Sequence, residues 1–149
     1  MATPSYLFAY GTLMASAADN ALGQQQRLCL QREAHLVGSA HLHGELYDLG
    51  HYPGLIERVT VGNPGVLVRG EVWQLHDPAG SLRWLDRYEG IDPVHPQEAE
   101  YRRVERTVVL QVADGEQALT AWVYIYVGAL AGARHIPAGF WSERTGVKS

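Results

Sequence analysis

One cysteine and one lysine stand in a chain of 149 residues, Cys29 and Lys148, and each scarcity excludes something. A lone thiol cannot close an internal disulfide. The N-terminus reads Met-Ala-Thr-Pro-Ser with no basic stretch ahead of an apolar one, so a reducing cytoplasm is the expected compartment. The eleven arginines are scattered, and a net charge of -4 has the wrong sign for a phosphate backbone, so no nucleic-acid partner is expected. No apolar run approaches the roughly 18 residues of a membrane helix, which argues against a membrane partner. Walker, GxGxxG and GxSxG signatures are absent, removing nucleotide-binding loops and the serine nucleophile elbow. What is present, 46% hydrophobic and 19% charged residues, suits one globular domain over residues 1–149 acting on a small molecule.

The pattern along the chain predicts an α+β fold. Tyr6-Leu7-Phe8-Ala9-Tyr10 is short, apolar and aromatic, and stops at Gly11-Thr12, as a buried strand opening into a loop does. Asp19 to Leu30 reads as a helix capped by Asp19 or Asn20, with Gly23 inside it. Ala34 to Leu49 alternates like a strand. Tyr52-Pro53-Gly54-Leu55 and Gly62-Asn63-Pro64-Gly65 carry turn chemistry, the first that of a type II turn. Val66 to Leu75 reads as a strand kinked at Gly70. Asp77-Pro78 opens a helix with Leu82, Leu85 and Tyr88 on one face, and Gly90 closes it with a left-handed cap. After a loop over 91–99, Tyr101 to Val112 and Ala118 to Val127 form a hairpin about Asp114-Gly115. Hairpins without regular βαβ alternation point to a mixed, barrel-like sheet with flanking short helices.

Few residues carry chemistry on their own. Cys29, between Leu28 and Leu30, reads as a buried structural thiol. His41 and His43 share a strand face, but no third ligand stands at a metal-site spacing. On a strand Arg102 and Arg106 share a face opposite Arg103, and solvated charge is the expected role. Glu89 is different. It sits at the negative end of a helix dipole, where a cation would be favoured, so it is either a solvated surface carboxylate or one with raised proton affinity suited to acid–base work.

Tyr10-Gly11-Thr12-Leu13, Gly44-Glu45-Leu46-Tyr47-Asp48-Leu49-Gly50 with Tyr52-Pro53-Gly54-Leu55, and Leu85-Asp86-Arg87-Tyr88-Glu89-Gly90 together resemble the gamma-glutamyl cyclotransferase-like superfamily, above all its gamma-glutamylamine cyclotransferase branch. The likeness continues through Gly70-Glu71-Val72-Trp73, Tyr101-Arg102-Arg103, Ala121-Trp122-Val123-Tyr124 and Ile136-Pro137-Ala138-Gly139-Phe140-Trp141. Met14 and Phe140 depart from it, standing where relatives often carry an arginine and an acid. The resemblance implies a small mixed barrel and the conversion of a gamma-glutamyl amide to 5-oxoproline and a free amine, without cofactor or metal. Glu89 is then the general base and acid; Tyr10, Gly11, Thr12 and Leu13 bind the glutamyl head, and Tyr88 and Tyr124 wall the pocket. The alternatives are a deprotecting cyclotransferase in a biosynthetic pathway and a non-catalytic module that binds a glutamyl-like metabolite. The leaving amine and the oligomeric state are left open.

Overall fold

A computed structural model describes residues 5–11, 13–14, 23–50, 52–57 and 66–141. Five strands close into a ring. In chain order they are β1 (Tyr6–Ala9), β2 (Ala34–Asp48), β4 (Val66–Leu75), β5 (Tyr101–Val112) and β6 (Gly115–Tyr126), with short β3 (Pro53–Ile56) and β7 (Arg134–Ile136) beside them. The ring runs β2-β4-β1-β6-β5 and returns to β2 through Ala40–Leu110 and His41–Val109. One contact, β1 with β6 at Leu7–Trp122, is parallel; the rest are antiparallel, so the barrel is mixed. The second half of β2 leaves the ring and takes β3 and β7 on its two edges.

Two helices flank the barrel, α1 (Gln24–Glu33) and α2 (Pro78–Tyr88). The Asp77 side chain caps α2 by accepting from the Gly80 N–H, and Pro78 occupies the first position, where no N–H is needed. At the other end the Ile91 N–H bonds the Asp86 carbonyl at 2.8 Å and the Gly90 N–H bonds that of Arg87 at 3.0 Å, with Gly90 at φ +80. This pair of bonds is a Schellman motif, and it leaves Glu89 as the last residue of the helical turn. Leu82 and Leu85 are buried against the barrel core, which holds Leu7, Phe8, Val68, Val72, Val108 and Val123. Glu33, at the end of α1, ties the helices together by accepting from Ser81 Oγ and Trp84 Nε1. Among the described residues no helix is long and apolar enough to cross a membrane.

Three local expectations are corrected. The first helix begins after Gly23, whose φ of 81 is left-handed, and runs on to Glu33; its proposed caps Asp19 and Asn20 lie outside the described residues, as do Gly62–Gly65. Tyr52-Pro53-Gly54-Leu55 is not a type II turn: Pro53–Ile56 is a strand, and Gly54 is absent from the positive-φ glycines. Its glycine answers to space, because a Cβ there would lie 2.9 Å from the Tyr126 side chain. Cys29 is only partly buried, since α1 turns Arg27 and Leu30 inward and leaves Leu28 exposed, and Arg32 approaches its sulfur at 3.5 Å.

Candidate active site

A cavity of about 480 Å³ opens between the end of β1, β3, the end of α2 and the strands β5 and β6, a volume suited to a small metabolite. Of the seven residues singled out in the sequence, it gathers six: Tyr10, Gly11, Leu13, Tyr88, Glu89 and Tyr124. Thr12 lies outside the described residues. The wall also holds Tyr52, Pro53 and Tyr101, none of which was expected there, and a rim of Glu98, Ala99 and Glu100.

The loop after β1 and the strand β3 lock together. A Cβ on Gly11 would lie 2.5 Å from Pro53 Cγ, so glycine is required there by the proline ring. The Tyr10 hydroxyl donates to the Tyr124 carbonyl at 2.5 Å and accepts from the Leu55 N–H at 3.3 Å, while the Tyr101 hydroxyl donates to the Pro53 carbonyl at 2.7 Å. The two motifs that stand some forty residues apart in the chain are therefore one structural unit. These hydroxyls are occupied by protein, and what the tyrosines offer the cavity is ring surface. Tyr10→Phe would leave a buried N–H and a buried carbonyl without that partner, and is expected to lower unfolding free energy by about 1–3 kcal/mol, read from denaturant midpoints. Met14 is fully buried and its N–H closes a turn on the Gly11 carbonyl, so it shapes the loop from behind. Phe140 lies under the Arg69 guanidinium, 4.6 Å from its ring centre, outside the cavity lining.

Glu89 keeps partial solvent contact through the cavity mouth, yet the protein around its carboxyl dominates its proton affinity. Burial first, and the Asp86 carboxylate second, raise its pKa from 4.5 to about 7. Burial and then the Glu89 charge push the Tyr10 hydroxyl well above its ordinary value, and burial does the same for Tyr101 and Tyr124. All three are thus neutral hydrogen-bonding groups at any physiological pH. One turn before Glu89, Asp86 accepts from Arg103 Nε at 2.7 Å and Nη2 at 3.1 Å and from the Tyr124 hydroxyl at 2.7 Å. Arg106, by contrast, pairs with Glu57 at the surface.

The Glu89 shift has a consequence for stability. Between pH 4.5 and 7 the folded chain holds a proton that the unfolded chain has released, so ionisation of Glu89 makes stability fall as pH rises through that window. Glu89→Gln has no such ionisation. Its stability relative to the unsubstituted protein is expected to improve between pH 4.5 and 7 by about 2–3 kcal/mol, or several degrees in Tm, read by thermal unfolding at pH 5 and pH 8.

Comparison with known proteins places these features in company. A family profile described as "Gamma-glutamyl cyclotransferase, AIG2-like" matches residues 7–143. A Vibrio cholerae protein named "Putative gamma-glutamylcyclotransferase" is 33% identical over 138 residues, covering 93% of this chain and 96% of that one. Among solved structures, an AIG2-like protein from Mus musculus superposes with a TM-score of 0.60 at 19% identity, covering 84% of this chain and 79% of the mouse chain. YkqA from Bacillus subtilis gives 0.61 at 20% identity over 95% of this chain, which spans only 40% of that longer protein. At these identities the two structures establish the likeness of fold.

Proposed function

Because the chain belongs to the gamma-glutamyl cyclotransferase, AIG2-like family, we propose that it converts a gamma-glutamylamine or gamma-glutamyl peptide to 5-oxoproline and a free amine, with Glu89 as its general base and acid. The observation that carries the reading is a carboxyl at the end of α2 that lines the same cavity as Tyr10, Gly11 and Leu13, where burial and Asp86 raise its pKa to about 7. A base with that proton affinity is half ionised near neutrality and can both take and return a proton.

The reaction needs no nucleophile from the protein. Ionised Glu89 takes a proton from the substrate's α-ammonium, and the freed amine attacks the γ-amide carbonyl carbon, forming the N–C bond of a five-membered ring. The carbonyl oxygen becomes an oxyanion, for which backbone N–H groups of Gly11, Thr12 and Leu13 are the candidate donors. As the tetrahedral species collapses, the bond to the leaving nitrogen breaks and Glu89 returns its proton there; the ring nitrogen then sheds its second proton to the re-ionised Glu89, which passes it to the released amine, leaving 5-oxoproline and an ammonium ion. The ring faces of Tyr10, Tyr101 and Tyr124 restrict the substrate to folded conformers, and such positioning supplies about 7–11 kcal/mol in favourable intramolecular reactions. The test is 5-oxoproline release from a panel of gamma-glutamyl amino acids, gamma-glutamyl-ε-lysine and simple gamma-glutamylamines. Turnover of at least one member is expected; binding without turnover across the panel would replace the enzyme by a binding module.

A further inference from the structure

We infer that Asp86 is a positioning residue for Glu89: gripped by Arg103 and Tyr124, it fastens the last turn of α2 to β5 and β6, and Arg103 balances the charge it sets beside Glu89. The inference rests on the reading of Glu89 given above and adds to it a residue that never touches the substrate. Asp86 is absent from the residues lining the cavity, whereas Tyr124, whose hydroxyl it holds, lines it.

The geometry is that of a fixed clamp. Arg103 meets Asp86 with two parallel N–H···O bonds, a fork that allows one orientation, and its guanidinium lies 4.4 Å from the centre of the Trp122 ring, so it is held from behind as well. Asp86 and Glu89 are three residues apart at the end of α2, so the clamp on the first holds the turn of backbone that carries the second. The same strand residue that bonds Asp86 by its hydroxyl receives the Tyr10 hydroxyl at its carbonyl. One connected path therefore runs from the loop after β1, through Tyr124 and Asp86, to the helix end that bears Glu89. A solvated surface ion pair would have no reason to include a buried tyrosine already committed to the site.

The charge balance gives the test its sign. Glu89 is faced by Asp86 and Tyr88 from its own helix end, by Tyr10 from the loop after β1, by Tyr52 beside β3, by Tyr101 from β5, by Tyr124 from β6, and by Glu98 and Glu100 at the exposed rim, where His95 lies 3.8 Å from Glu98; Arg103, on β5, joins this group through its bonds to Asp86. Asp86 is the carboxylate whose charge acts on Glu89, and Arg103 is the cation bonded to Asp86, so the two stand beside it as an opposed pair. Removing one member leaves the other unbalanced, and the two removals act on Glu89 in opposite directions.

The experiment is an NMR titration of the Glu89 carboxyl carbon, assigned by its disappearance in Glu89→Gln, in the unsubstituted protein, Asp86→Asn and Arg103→Gln. Asp86→Asn is expected to move the titration about one unit down and Arg103→Gln about one unit up. With an active substrate, kcat falls about tenfold in both variants while KM stays within about twofold, and the acid limb of kcat shifts with the carboxyl. Shifts of the same sign, or no shift in either variant, would overturn the inference, because loosened packing alone does not reverse direction with the charge removed. Should Arg103→Gln fail to fold, Asp86→Asn alone decides by the direction of its shift. The titration needs no turnover, so failure of the substrate panel and failure of this inference are separate results.

Discussion

Glu89→Gln is expected to lower kcat/KM for 5-oxoproline release by a factor of about a hundred to ten thousand, the range that one positioned acid–base group supplies. Glutamine keeps the size of the side chain and its place at the Schellman-capped end of α2, so the fold survives and, above pH 7, gains stability. A binding constant for a slow gamma-glutamyl analogue should change little, since proton transfer is realised only in the transition state. The pH dependence carries the same signature. Below about pH 7 Glu89 is protonated and cannot act as base, so the unsubstituted enzyme should lose about tenfold in kcat/KM per unit of pH, and this limb should vanish in the variant. Residual activity is expected in Glu89→Gln, because a cavity that held the substrate folded would accelerate cyclisation without a base.

Gly70→Ala is expected to destabilise the protein by about 3 kcal/mol or more, at the upper end of overpacking effects. Gly70 lies in β4 where β1 crosses it, and a methyl group there would stand 2.3 Å from the Ala9 carbonyl oxygen and 2.8 Å from the Phe8 ring. Backbone cannot rotate aside as a side chain can. Relief requires β1 to shift, and β1 delivers Tyr10 and Gly11 to the cavity, so activity should fall together with the denaturation midpoint. Gly38→Ala is the matched comparison in β2. Its methyl would meet only the Leu110 side chain at 3.5 Å and the Gln111 carbonyl at 3.7 Å, ordinary contact distances, so its stability should stay within about 0.5 kcal/mol of the unsubstituted protein. Urea unfolding of the two variants side by side reads the contrast.

What could be read from sequence was what short-range chemistry dictates. Asp77-Pro78 and Gly90 bound α2 because caps and left-handed turns are decided within a few residues, and the alternation from Ala34 marked β2 for the same reason. The hairpin that Asp114-Gly115 signals is present but tighter than a second strand starting at Ala118 implies: Ala113 and Asp114 are its loop, and Gly115, at φ 141, is already paired to Val112. Where tertiary space overrides local preference, the local signal misled. Pro53-Gly54 has turn chemistry, yet its neighbours are Gly11 and Tyr126, and strand geometry is the one that fits between them. The helical pattern ran through Gly23 because periodicity alone does not show where a left-handed residue will stop it.

The candidate site divides in the same way. Glu89 stood out because a carboxylate at a helix C-terminus is electrostatically misplaced, and the Tyr10–Leu13 loop because an apolar aromatic strand ends abruptly at glycine. Tyr52, Pro53 and Tyr101 reach the cavity through pairings that no spacing encodes. Arg103 read as one of three arginines on a strand; its partner, Asp86, is on another element, 17 residues away. The alternation did put Arg103 on the face opposite Arg102 and Arg106, and that opposition was the available hint.

The central claim is that the substrate's own α-amine, and neither water nor a protein side chain, attacks the γ-amide. It is tested most directly by letting the enzyme consume a gamma-glutamyl amide in oxygen-18 water and analysing the product by mass spectrometry, beside the same amide acetylated on its α-nitrogen. The account requires unlabelled 5-oxoproline equal in amount to the released amine, and no amine at all from the acetylated compound. Oxygen-18-labelled glutamate, or amine release from the acetylated amide, would contradict it.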